Sequence, residues 1–167
     1  MEFELKNWDL KYAQDLVKTL SISEITNNLR DLPNPYTIKD AEEFITGMIS
    51  ANKNNVFSYA IINDSQFIGS IGAFRQNNIH CYTAEIGYYL HTEYWCKGIM
   101  TKAVTQLCDK IFSETDIIRI YATPFSYNIG SCRVLEKAGF NLEGVLRKNA
   151  FKNGRFLDMN IYSKIKE

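Results

Sequence analysis

The stretch EIGYYLHTEYWCKGIMTKAV, Glu85–Val104, decides how the chain is to be read. It begins as an extended apolar run, crosses a short polar turn and enters a helix at about Lys97–Gly98. A strand, a glycine-containing loop and a helix N-terminus in that order make an anion seat. The first N–H groups of a helix have no partner within it, and the macrodipole places positive potential there. No GK[ST] follows Gly98, which excludes the nucleotide-hydrolase phosphate loop, and the absence of GxGxxG excludes the dinucleotide fingerprint. An ordinary strand-to-helix turn also accounts for one glycine at a helix start. A second stretch, Asn128–Phe140, is therefore needed to decide the matter.

Outward from the loop, Ala103, Val104, Leu107, Ile111 and Phe112 give the following helix a buried face. Ile117–Ala122 reads as a short strand bounded by Pro124. Asn128–Lys137 reads as a helix stopped at Gly139, the residue type that favours a helix C-terminus. Two final strands, about Phe140–Leu146 and Phe156–Ile165, turn at Asn153-Gly154. On the N-terminal side, Ile79–Leu90, Gln66–Phe74 and Val56–Ile62 form a three-strand antiparallel meander, with a hairpin at Asn63-Asp64-Ser65. Before it come a short strand at Phe3, a helix capped by Asp9, a short helix through Ile22–Leu29 and a third helix capped at Thr37 or Asp40. Two prolines order the loop Arg30–Tyr36. The order β-α-α-α-β-β-β-α-β-α-β-β describes one α+β domain, residues 1–167, around a mixed sheet.

The bulk composition is that of a soluble globular protein, with 46% hydrophobic and 23% charged residues. Lysine plus arginine equals aspartate plus glutamate, 19 each, so no net field draws the chain to nucleic acid or a membrane surface. The beginning, MEFELKNWDLK, lacks a signal pattern, and no apolar run reaches membrane-spanning length. Cys81, Cys96, Cys108 and Cys132 are scattered without metal-like spacing, and read as reduced thiols of a cytoplasmic protein. His80 and His91 are too few and too separated for a histidine site, so no metal is expected.

The segments WCKGIMTKA (95–103) and NIGSCRVLEKAGF (128–140), with EIGYYL before them and NGRFLDMNIYSK after, resemble the GNAT (GCN5-related N-acetyltransferase) superfamily. Within it the chain is similar to the branch of ribosomal-protein N-terminal acetyltransferases. The resemblance implies a GNAT-like domain with a mostly antiparallel central sheet flanked by helices. It also implies a splayed strand pair that holds acetyl-coenzyme A, the cosubstrate. In the family's R/Q-x-x-G-x-G/A loop, Gly98 is the middle glycine. Trp95 stands where a basic or amide residue is usual, Met100 where a small one is usual, and Cys96 where this branch often has glycine. The pyrophosphate seat would come from backbone N–H groups of Cys96, Lys97, Gly98, Ile99, Met100 and Thr101, so it survives these side-chain changes. Lys97 and Lys102 are either phosphate contacts or solvated lysines.

By the same resemblance, Tyr88, Tyr89 and Leu90 would pair with the pantetheine arm and offer an N–H to the thioester oxygen. Gly87 would mark the bulge that splays the strand. Asn128 is a helix N-cap, a holder of the pantetheine or acetyl region, or both. Ser131, one turn on, is the candidate hydroxyl near the sulfur, because the position where many relatives carry a tyrosine acid is Leu135. Arg133 and Lys137 share a helical face and either reach the 3′-phosphate or are solvated. Attack needs a neutral amine, and Glu85 is the candidate base; the alternative is an exposed carboxylate or one paired with Arg75. Half-burial beside tyrosines would suit it to that task.

The family layout places acceptor selection at Arg30–Tyr36, with Arg30, Tyr36, Arg75 and the Phe151–Phe156 turn. The acceptor expected by branch is a protein N-terminal amine. A polyamine or aminoglycoside is the second option, although Arg30-Asp31 and Glu42-Glu43 form no decisive acid cluster. A non-catalytic acyl-coenzyme A sensor is the reading from another class, prompted by Trp95, Met100 and the missing tyrosine. The aromatic late strands would suit a homodimer contact or a core equally.

Overall fold

The computed structural model describes residues 2–30 and 32–167. Its strands are β1 (Glu4–Lys6), β2 (Val56–Asn63), β3 (Gln66–Arg75), β4 (Thr83–Leu90), β5 (Arg119–Ala122), β6 (Asn141–Lys152) and β7 (Arg155–Ile165). Its helices are α1 (Ala13–Leu20), α2 (Ser23–Thr26), α3 (Ile38–Ser50), α4 (Ile99–Glu114) and α5 (Ile129–Lys137). The strands form one sheet in the order β1-β2-β3-β4-β5-β7-β6, antiparallel at every junction except β4–β5. The chain thus follows the expected element order and the mixed, mostly antiparallel sheet. None of its helices is long and apolar enough to cross a membrane, among the described residues.

Each face of the sheet carries its own core. Leu16, Ile25, Ala41 and Ile45 of α1–α3 cover Ile62 and Phe67 on one side. Ile99, Val104, Leu107, Ile111 and Leu135 of α4 and α5 cover Ile71, Ile86 and Ile120 on the other. Successive strand residues point to opposite faces, so β4 contributes to both layers. Tyr88 packs with the α4/α5 layer and Tyr89 with the α1/α3 layer. That alternation puts Glu85 on the α1/α3 face with Tyr89.

Several boundaries differ from the pattern in the sequence. The strand expected from Ile79 begins only at Thr83, because Asn78–His80 closes a 3-10 turn with Asn78 at φ 55. The short second helix is a single turn. The strand expected to end at Leu146 runs on to Lys152, because the Asn153-Gly154 turn, with φ 50 and 74, closes a two-residue hairpin of the kind whose twist matches its strands.

The central feature is where β4 and β5 stop pairing. Their parallel ladder runs through Thr83–Arg119, Ala84–Ile120 and Glu85–Tyr121, and ends there. From Ile86 to Leu90, β4 stays paired with β3 only. The opening therefore does not come from a bulge at Gly87, as expected from the sequence: Gly87 sits in register opposite Gly72. It comes from β5 being four residues long and leaving the sheet at Thr123-Pro124. Beside the fork, Gly69 of β3 packs directly against the end of β4. A Cβ there would meet the Tyr89 carbonyl oxygen well inside van der Waals contact, and the Leu90 Cα at 2.9 Å.

Candidate active site

The fork between β4 and β5 opens into a cleft of about 1360 Å³ that runs from the α4 N-terminus to the α1–α3 side of the sheet. At its outer end Gly98 caps α4 in the left-handed region, φ 74, and the preceding Cys96 also has positive φ, 60. The helix starts at once after this double reversal, so Ile99, Met100 and Thr101 present N–H groups without partners inside the helix. The first intrahelical bond is Lys102 N–H to Gly98 O, 3.2 Å. Cys96, Gly98, Ile99, Met100 and Thr101 all line the cleft. Trp95, the departure noted in the loop, donates its indole N–H to the Leu90 carbonyl at 2.7 Å, which ties the loop back to the end of β4. That carbonyl is consequently occupied.

Deeper in the cleft, α5 meets β4. The Asn128 side chain accepts from Ser131 N–H at 3.1 Å, so its helix-capping role is present. The Ser131 hydroxyl lies 3.0 Å from the Tyr88 hydroxyl, which also donates to the Ser131 carbonyl at 3.2 Å. Burial pushes the Tyr88 phenol above the ordinary tyrosine range, so it keeps its proton and stays a donor at neutral pH. Leu135 is fully buried in the core beneath α5. The sequence therefore shows no hydroxyl at that helix position, yet strand alternation brings one from Tyr88. Arg133 and Lys137 lie on the rim of the same cleft.

On the opposite face of the fork, Glu85 is held by two partners the sequence did not suggest. The Thr123 hydroxyl donates to Glu85 Oε1 at 2.9 Å. The Arg30 guanidinium forms an ion pair with the same carboxylate, with Nη1 at 3.3 Å from Oε2, and donates to Thr123 Oγ1 at 2.6 Å. Thr123 lies two residues past Tyr121, the parallel partner of Glu85, and only that register brings it there. Tyr36 and Tyr89 line this end too. Burial and the Asp40 carboxylate push the Tyr36 phenol up to about 12. Asp31, in the same loop, lies outside the described residues.

Three residues considered for the site do not reach the cleft. Arg75 donates to the Cys81 carbonyl at 3.1 Å and pairs with Asp116, at the end of the sheet remote from the fork. It therefore stands outside the cleft wall and is not the partner of Glu85. The Lys97 ammonium sits 5.3 Å from the centre of the Tyr94 ring and is not part of the cleft wall. Lys102 is likewise outside it.

A clasp closes the end of the cleft where Arg30 lies. The Tyr127 hydroxyl donates to the Asn27 carbonyl at 2.7 Å, and Lys152 donates to the carbonyls of Thr26 (2.8 Å) and Leu29. The turn after α2 is thereby fixed to β6 and to the segment before α5. A smaller chamber of about 430 Å³ adjoins the cleft here, with Arg30, Thr123, Phe125 and Met159 shared between the two.

The comparisons agree with this geometry. Probable N-acetyltransferase YjcK of Bacillus subtilis (strain 168) is 36% identical over 129 residues, covering 75% of this chain and 71% of that protein. The microcin C7 self immunity acetyltransferase MccE, solved in complex with acetyl-CoA and AMP, superposes with a TM-score of 0.85 at 29% identity, covering 98% of this chain and 92% of MccE. The ribosomal L7/L12 alpha-N-protein acetyltransferase RimL, solved with coenzyme A, has the same fold, with a TM-score of 0.88 at 22% identity over 98% of this chain and 93% of RimL. The family model described as acetyltransferase (GNAT) domain matches residues 3–141. With the forked β4–β5 pair and the glycine-capped α4 already in place, the chain belongs to the GNAT family and is an N-acetyltransferase.

Proposed function

We propose that the protein transfers the acetyl group of acetyl-coenzyme A to a primary amine by direct attack, without a covalent enzyme intermediate. The observation that carries this reading is the fork itself. It brings the Tyr88–Ser131 hydroxyl pair to one face of the sheet and Glu85 to the other, with an open strand edge between them.

The residues present suit the coenzyme. The unpartnered N–H groups of Ile99–Thr101 would receive its pyrophosphate, and Arg133 and Lys137 would meet the nucleotide phosphate. The edge of β4 from Ile86 to Tyr89 has backbone groups without a strand partner, which would pair with pantetheine amides. When bound, the coenzyme supplies the thioester carbon and departs as a thiol. A backbone N–H of β4 aimed at the thioester oxygen would stabilise charge that develops there. Ser131, oriented by Tyr88, would donate to the departing sulfur. Glu85, oriented by Thr123, would take the proton from the amine arriving on the α1/α3 face.

Among acceptors, a protein N-terminal amine is supported by the likeness to RimL, named for acting on the N-terminus of ribosomal L7/L12. Thiol release from acetyl-coenzyme A tests the whole reading, with peptides of varied first residue, spermidine and kanamycin as acceptors. Release above the no-acceptor blank supports transfer and names the acceptor type. Coenzyme binding with no release for any acceptor would favour a sensor.

A further inference from the structure

The Glu85 carboxylate is not bare. Arg30 and Thr123 between them use three of its roughly four acceptor positions. Arg30 is the exposed member of this group. Its side chain is 64% exposed, it projects from the turn after α2, and it lies on the boundary between the cleft and the adjoining chamber. A protonated amine approaching Glu85 therefore meets a guanidinium already there, and the two cations repel. The chamber beyond has Arg30 and Lys152 in its wall, with Thr123 and Asn149 as neutral polar groups, and Phe125 and Phe151 as apolar ones. No acidic side chain lines it among the described residues. Such a wall repels a polyamine and attracts an anion.

Resting on the transferase reading above, we propose that the acceptor carries an anionic group, carboxylate or phosphate, near its amine, and that Arg30 is its specificity residue. The anion enters the chamber and draws Arg30 away from Glu85. The guanidinium gains a charge-assisted, two-pronged contact with the acceptor. The same movement removes the competing cation from the carboxylate that receives the amine. One side chain thus reads the acceptor and uncovers the base, and an amine without an anionic group achieves neither.

The test is equilibrium binding to the coenzyme A-loaded protein, by calorimetry, with matched acceptor pairs. The peptide Ala-Asp-Ala-amide is set against Ala-Asn-Ala-amide, and O-phosphoethanolamine against ethanolamine. Wild-type protein is expected to bind at least one anionic member about tenfold or more tightly than its neutral partner. Which pair responds tells a carboxylate from a phosphate. Arg30→Gln should abolish that preference and Arg30→Lys should keep part of it; coenzyme binding by each variant verifies the fold. Equal or undetectable binding of both members of both pairs overturns the proposal. So does a preference that survives Arg30→Gln, or tighter binding of spermidine than of either anion. Turnover is read separately. Transfer to neutral amines without any anion preference leaves the acetyltransferase standing and removes only this assignment.

Discussion

Tyr88 on β4 and Ser131 on α5, 43 positions apart, hold their hydroxyls 3.0 Å from one another in the cleft. Because Tyr88 also donates to the Ser131 carbonyl at 3.2 Å, its ring position outlasts loss of the serine hydroxyl. Ser131→Ala is expected to lower kcat by about 10- to 100-fold, and Tyr88→Phe by a similar factor. If the two act as one donor relay, the double variant will be barely slower than the worse single one. A double-mutant cycle on kcat measures this, and additive losses would mean they act separately.

Glu85→Gln keeps the shape of the side chain and its contact with Thr123. It is expected to cut kcat by about 10²- to 10³-fold while coenzyme affinity by calorimetry stays within twofold. An unchanged rate would remove Glu85 from proton transfer and direct attention to solvent.

Two loop substitutions should move stability in opposite directions. Cys96 adopts φ 60, where a β-carbon is disfavoured, so Cys96→Gly is expected to stabilise by about 0.5–1 kcal/mol. Gly98→Ala imposes the same strain at φ 74 and should cost about 1 kcal/mol, with weaker coenzyme binding. Thermal melts with and without coenzyme A compare them.

Gly69→Ala strikes the sheet rather than the loop. The new methyl would push against the Tyr89 carbonyl and Leu90, so β3 and β4 must separate at the end beside the fork. A loss of about 3 kcal/mol is expected from denaturant titration, and an effect below about 1 kcal/mol would contradict so close an approach.

Acid stability should report on the β5–β6–β7 end. Hydrogen bonds from Arg119 and then Ser163 hold the Glu143 carboxyl down at about 2, against an ordinary 4.5. A depressed carboxyl contributes stability that is fully present above its unfolded value and is lost as pH falls through the folded one. The contribution therefore fades between about pH 4.5 and 2. Since the side chain is 38% exposed, solvent screening keeps it to about 1 kcal/mol or less. Glu143→Gln should flatten that part of the stability profile, read by urea titration at several pH values.

The α4 end of the cleft was far more legible in the sequence than the end at Glu85. Gly98 and Asn128 act through backbone geometry within a few residues, so local spacing reveals them. Tyr88–Ser131 and Glu85–Thr123–Arg30 are pairings over 38 to 93 positions, fixed by strand register and by where β5 ends. Strand alternation along β4 puts Tyr88 and Glu85 on opposite faces, but it does not name their partners. Arg75 was misplaced for the same reason: one residue past the partner of Glu85, it follows the sheet away from the fork. The splay was expected from a glycine and is instead made by a strand that stops early.

The clasp formed by Tyr127 and Lys152 on the turn after α2 joins three distant stretches of the chain. Lys152 belongs to the β6–β7 hairpin, which lies almost wholly beyond residue 141, where the family match ends. Tyr127 lies inside the matched residues, so the two halves of the clasp fall on either side of that boundary. Loss of the Lys152 ammonium would therefore loosen the turn that carries Arg30 while leaving the Gly98 loop and the Tyr88–Ser131 pair intact.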